Sequence, residues 1–67
     1  MIVVNGSPAD AAPGDSLLVV LAALGVDRDS KGVAVALDGE VVARADWERV
    51  RLSDGARVEV LTAMQGG

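Results

Sequence analysis

The chain has 67 residues, no Cys, no His, and ten acidic against six basic side chains, for a net charge of −4. That length holds a single domain, and the missing residue types exclude a disulfide framework, the usual zinc ligands and any nucleophilic triad built on His or Cys. An acidic surface is repelled by phosphate backbones, so nucleic acid is not an expected partner.

Met1 to Asn5 lacks the basic start of a secretory signal and reads as a strand, so the cytoplasm is the default compartment. Within it Ile2-Val3-Val4 is a short β-branched run that ends at Asn5-Gly6, a pair suited to a tight turn because both residues tolerate positive φ. A weaker extended piece covers Pro8 to Ala12, held at an edge by its prolines, and Pro13-Gly14 breaks the chain. Ser16 is then a candidate helix N-cap, with Asp15 as its competitor. Leu17, Val20, Leu21 and Leu24 recur at helical spacing, and Gly25 follows where a left-handed residue is wanted, so a helix is predicted over Leu17 to Leu24. With Leu18, Val19, Ala22 and Ala23 the helix is apolar nearly all round, which demands deep burial or a second apolar face. Its eight-residue apolar run falls far short of the roughly 20 residues that cross a membrane.

Asp27 to Gly32 is a polar loop. It fails as a calcium loop, because Lys31 stands where a ligand oxygen is required and a strand pattern follows it. Val33 to Leu37 alternates with period two, placing Val33, Val35 and Leu37 towards a core; Asp38-Gly39 is a hairpin signal, and Glu40 to Ala43 is the return strand. Arg44 to Ser53 has no clear period and carries the only aromatic residue, Trp47, expected to close one end of the core. Asp54-Gly55 is a further turn, and Arg57-Val58-Glu59-Val60 alternates with Val58 and Val60 inward. Two strands, a helix, a hairpin and a last strand make a two-layer α+β domain, and the β-grasp (ubiquitin-like) architecture, a mixed sheet on one helix, is the simplest match.

The serines have no His to activate them, Lys31 lies in a polar loop, and no phosphate-cradling glycine motif is present, so no catalytic residue and no metal ligand is nominated. The informative feature is the end of the chain, Gln65-Gly66-Gly67. Glycine has no Cβ, so a Gly-Gly arm can lie extended in a narrow channel and carry a bare carboxylate into an enzyme that activates it. Residues 1–67 are thus read as one domain whose flexible tail covers about 63–67. In the last strand Leu61 faces outward by the period of two, as does Val3 on the first strand; with Met64 beyond, Leu61 and Val3 are expected to share one exposed apolar patch for docking partners.

Taken together, Val58 to Gly67, Gly32 to Val42 followed by Arg44 and Trp47, the opening Val4-Asn5-Gly6 and the run Pro13-Gly14-Asp15-Ser16-Leu17 resemble the thiamine-biosynthesis sulfur carriers, the ThiS family. The resemblance spans the whole chain; Asp38, Ala43 and Ala56 depart from the residues that family often carries, all away from the tail. It implies a carrier that does not itself catalyse. A ubiquitin-activating-like adenylyltransferase, using ATP and magnesium, would convert the Gly67 carboxylate to an acyl-adenylate. A cysteine desulfurase or persulfide protein would supply sulfur to form a thiocarboxylate, and thiazole synthase would receive it. The carrier would bind no cofactor itself and be monomeric when free. A carrier for molybdopterin or cysteine synthesis, or a passive β-grasp interaction domain, are the alternatives.

Overall fold

The computed structural model describes residues 1–62. Its elements are β1 (Val3–Val4), β2 (Ser7–Pro8), α1 (Leu17–Ala23), β3 (Val33–Leu37), β4 (Glu40–Val41), a 3₁₀ turn (Arg44–Asp46) and β5 (Arg57–Thr62). The sheet order is β2-β1-β5-β3-β4. β5 is central, parallel to β1 and antiparallel to β3, and each outer pair is a hairpin. This mixed sheet with one helix is the β-grasp architecture expected from the element order.

Both hairpins turn on the predicted pairs. Asn5 and Gly6 have φ of 51° and 83°, and Asp38 and Gly39 have 51° and 89°. Two successive positive φ values give the turn whose twist matches paired strands, and Asn, Asp and Gly are the residues that tolerate them. The second strand is shorter than the sequence suggested. It is Ser7–Pro8 rather than Pro8 to Ala12, because Pro8 supplies no N–H to extend a ladder. It does lie at an edge. The return strand, read as Glu40 to Ala43, is Glu40–Val41, with one further main-chain bond in the same register from Val42 N–H to the Val35 carbonyl.

The helix begins as predicted. The Ser16 hydroxyl accepts from the Val19 N–H at 3.2 Å. The competing Asp15 carboxylate instead accepts from the Ala12 N–H, closing the Pro13-Gly14 turn. The Leu17 and Leu18 N–H groups bond the carbonyls of Val50 and Trp47. The aperiodic segment therefore completes the helix start, where first-turn donors have no partner within the helix. At the other end Gly25 adopts φ +83°, its N–H bonds the Ala22 carbonyl, and Val26 N–H bonds the Leu21 carbonyl. This paired arrangement is the Schellman C-cap, with buried Val26 as its apolar partner.

One core joins the layers. Ile2, Val4, Leu17, Val20, Leu21, Val26, Val35, Trp47, Leu52, Ala56 and Val58 are buried together. Trp47 is among the largest fully buried side chains, and its indole N–H donates to the Val42 carbonyl at 3.2 Å. The Arg44 guanidinium lies 4.8 Å from the ring centroid and donates to the Arg28 carbonyl at 2.8 Å, tying the polar loop to this end of the core. The helix buries one face only: Val19, Ala22, Ala23 and Leu24 are exposed, so its all-round apolar character resolves into a buried and a free face.

Candidate functional site: the outer sheet face and the tail-bearing strand

The tail follows β5, so the site is built from that strand outward. Val58 is buried and Val60 half-buried against the core, whereas Arg57, Glu59 and Leu61 are exposed. The period of two thus holds from Arg57 to Leu61 and lapses at Thr62, which is exposed. Leu61 is 69% exposed, an apolar side chain with no core to fill.

The strand register decides which residues accompany it. Val3 pairs with Arg57 and Val4 with Val58, so β1 flanks only the start of β5. Leu61 lies four residues further on, about 13 Å away at the usual rise per strand residue. The expected joint patch of Val3 and Leu61 is therefore not formed. Val3 is half-buried and borders a shallow depression with Asp38, Arg57 and Glu59, while Leu61 borders a separate one with Gly32, Val33, Ala34 and Thr62. Adjacency of β1 and β5 is not enough to bring the two side chains together, because a two-residue strand reaches only one end of its neighbour.

Leu61 instead faces Ala34 across the β3–β5 ladder, and the next outer residue of β3, Ala36, faces Val41 of β4. Directly opposed residues share a face, so Leu61, Ala34, Ala36 and Val41 form an apolar diagonal across the outer sheet. Val41 is 80% exposed. The sequence reading missed Ala34 and Val41 here; the alternation of Val33 to Leu37 already assigned Ala34 and Ala36 to the face opposite the core. Glu59 borders the diagonal, opposite Ala36. Met64, Gln65, Gly66 and Gly67, nominated as docking and tail residues, lie outside the described residues.

Among the described residues no group of three or more His, Cys, Asp or Glu side chains is placed to hold a metal ion. In the polar loop weighed above for calcium, the Asp27 carboxylate accepts from the Asp29 N–H at 2.9 Å and from the Ser30 hydroxyl, so it closes its own turn. No helix among the described residues is long and apolar enough to cross a membrane.

The five-stranded mixed sheet with one helix places the domain in the ubiquitin-like β-grasp class. The comparisons specify the family. The ThiS family model matches residues 2–67, and the chain belongs to that family. It is similar to the crystal structure of a thiamine biosynthesis protein (ThiS) from Geobacter metallireducens, with 35% identity and a TM-score of 0.74 over 98% of this chain and 97% of that one. It is also similar to the solution structure of that same protein, with 37% identity and a TM-score of 0.76 over 98% of this chain and 86% of that one. Among curated proteins there is no significant match.

Proposed function

We propose that this protein is the sulfur carrier of thiazole formation in thiamine biosynthesis, and that it is a co-substrate of other enzymes rather than a catalyst. The observation that carries the reading is the family match, which runs through the Gly-Gly end and is joined by one relative, solved both as a crystal and in solution, named for thiamine biosynthesis. That relative favours this pathway over molybdopterin or cysteine synthesis and over a passive interaction domain.

The chemistry falls on Gly67. Its carboxylate oxygen attacks the α-phosphorus of ATP in the site of a ubiquitin-activating-like adenylyltransferase, and pyrophosphate leaves. ATP and magnesium belong to that enzyme, and the carrier binds no cofactor of its own. The outer sulfur of a persulfide on a desulfurase or persulfide protein then attacks the acyl carbon and AMP leaves, giving an acyl disulfide. A thiol reductant cleaves its S–S bond, leaving the donor as a disulfide and Gly67 as the thiocarboxylate, which gives its sulfur to thiazole synthase. Gly66 and Gly67 have no Cβ, so they suit a channel too narrow for a side chain, with Gln65 at its mouth. Gly67 lies five residues beyond Thr62, a reach of at most about 18 Å. The sheet must therefore dock close to the reacting centre; exposed Leu61 supports a docking role there, and Met64, three residues on in the sequence, is assigned the same role. Val3 lies further from the tail and takes the flank of the same outer face. The carrier acts in the cytoplasm, monomeric when free.

The test is ATP–pyrophosphate exchange by the adenylyltransferase. The full chain supports exchange, and a chain lacking Gly66 and Gly67 does not. Equal exchange with both would refute the assignment.

A further inference from the structure

Asn5 does more than turn the first hairpin. Its backbone N–H bonds the Val58 carbonyl at 2.8 Å, the last main-chain bond from this stretch of β1 to β5. At φ +51° the chain then swings away into β2. The side chain continues where the backbone leaves. Asn5 Oδ1 accepts from the Val60 N–H at 2.8 Å, and Asn5 Nδ2 donates to the Val60 carbonyl at 3.3 Å. One carboxamide thus satisfies both backbone groups of Val60, as a neighbouring strand residue would. The amide orientation follows from the chemistry, since only Oδ1 can accept from an N–H. At the other end of β5, Asp38, also at φ +51°, accepts from the Arg57 N–H at 3.0 Å through its own side chain. The first residue of each hairpin turn therefore fastens one end of the central strand, and Asn5 has the end from which the tail departs.

We infer that Asn5 is a positioning residue for activation of the tail: by holding Val60 it fastens the β1 side of β5 two residues before the strand ends at Thr62. The inference rests on the carrier reading. Without the clamp, the end of β5 keeps its ladder to β3 but loses its fastening on the β1 side, so it opens more often and must be ordered again on docking. Ordering one backbone residue is costly enough that even partial opening of two is felt in binding. Once docked, the enzyme's own channel orders the tail, so the chemical step is spared. The signature is a raised KM for the carrier with kcat unchanged.

The experiment uses the full chain with Asn5→Gly, which keeps the positive φ and loses both side-chain bonds, and Asn5→Asp, which keeps an acceptor for Val60 N–H and loses the donor. Amide hydrogen exchange is read at Val35, Val58 and Val60, and adenylation kinetics are measured well below the unfolding midpoint. For Asn5→Gly the expected results are at least about fivefold faster exchange at Val60, little change at Val35, and KM raised about tenfold at constant kcat, with Asn5→Asp between it and wild type. Unchanged KM in Asn5→Gly overturns the inference. So does exchange that rises equally at Val35 and Val58, which would make Asn5 a fold residue only. If wild-type protein is not adenylated, the carrier reading itself fails, a result distinct from both.

Discussion

Replacing Leu61 by Asp tests whether the outer sheet face steers the tail. Fully burying a Leu side chain stabilises by about 1.5–3 kcal/mol, and Leu61 is 69% exposed, so docking has about 1–2 kcal/mol left to gain there. Losing that contribution alone weakens binding by roughly 5- to 30-fold. A carboxylate adds desolvation and stands one outer position from Glu59, so the total loss should exceed about 100-fold. Stability should change by no more than about 0.5 kcal/mol, because the side chain leaves no cavity and faces only Ala34 across the ladder. The assay is calorimetric titration against the activating adenylyltransferase, with thermal unfolding as the control. Val41→Asp, on the same diagonal, should also weaken binding, and Val19→Asp, on the exposed helix face, should not. Unchanged affinity for Leu61→Asp would show that partners grip another surface; loss of the fold would show that the exposed position assigned to Leu61 is wrong.

Ser16→Ala removes the side-chain acceptor at the helix start and should cost about 1 kcal/mol, read as a lowered denaturation midpoint at unchanged slope. An unchanged midpoint would mean that the main-chain bonds from Leu17 and Leu18 N–H to the Val50 and Trp47 carbonyls suffice. Trp47→Ala deletes one of the largest buried side chains and its bond to Val42, at about 3–5 kcal/mol. A domain of this size rarely has more than that in total, so the variant should be largely unfolded by circular dichroism. Asp38→Asn should be within about 0.5 kcal/mol of wild type, since Asn tolerates the same φ and can accept from Arg57 N–H. Asp38→Ala loses both advantages and should cost about 1–2 kcal/mol in urea unfolding. Gly67→Ala sets a methyl group beside the reacting carboxylate and should slow adenylation about 100-fold, which single-turnover kinetics would measure.

What the sequence made legible is what local chemistry determines. Asn5-Gly6 and Asp38-Gly39 are turns because few other residues accept two successive positive φ values, and both are where they were read. Ser16 and Gly25 bound the helix because first-turn N–H groups and last-turn carbonyls need partners. The alternation of Val58, Glu59, Val60 and Leu61 gave the correct faces. What stayed hidden depends on register and long-range contact. A two-residue β1 has no pattern that says whether Val3 lies beside Arg57 or Leu61, and that one choice moved the apolar patch to Ala34, Ala36 and Val41. Arg44 to Ser53 looked featureless because its role is to present the Trp47 and Val50 carbonyls to a helix some thirty residues earlier, which no periodicity records. The side chain of Asn5 was read as a turn former, and its bonds to Val60 come from a partner 55 residues away. The Gly-Gly end lies outside the described residues; what the sequence offers there is the absence of side chains, on which the proposed activation rests.

The most direct test of the carrier assignment is intact-protein and peptide mass spectrometry after incubation with the adenylyltransferase, ATP, magnesium, a persulfide sulfur source and a thiol reductant. A carrier should yield a species in which one oxygen is replaced by sulfur, localised to the peptide ending in Gly66-Gly67, formed only when ATP is present and lost when thiazole synthase and its substrates are added. An unchanged mass under conditions where the adenylyltransferase turns over a known carrier, or sulfur found anywhere other than Gly67, would contradict it.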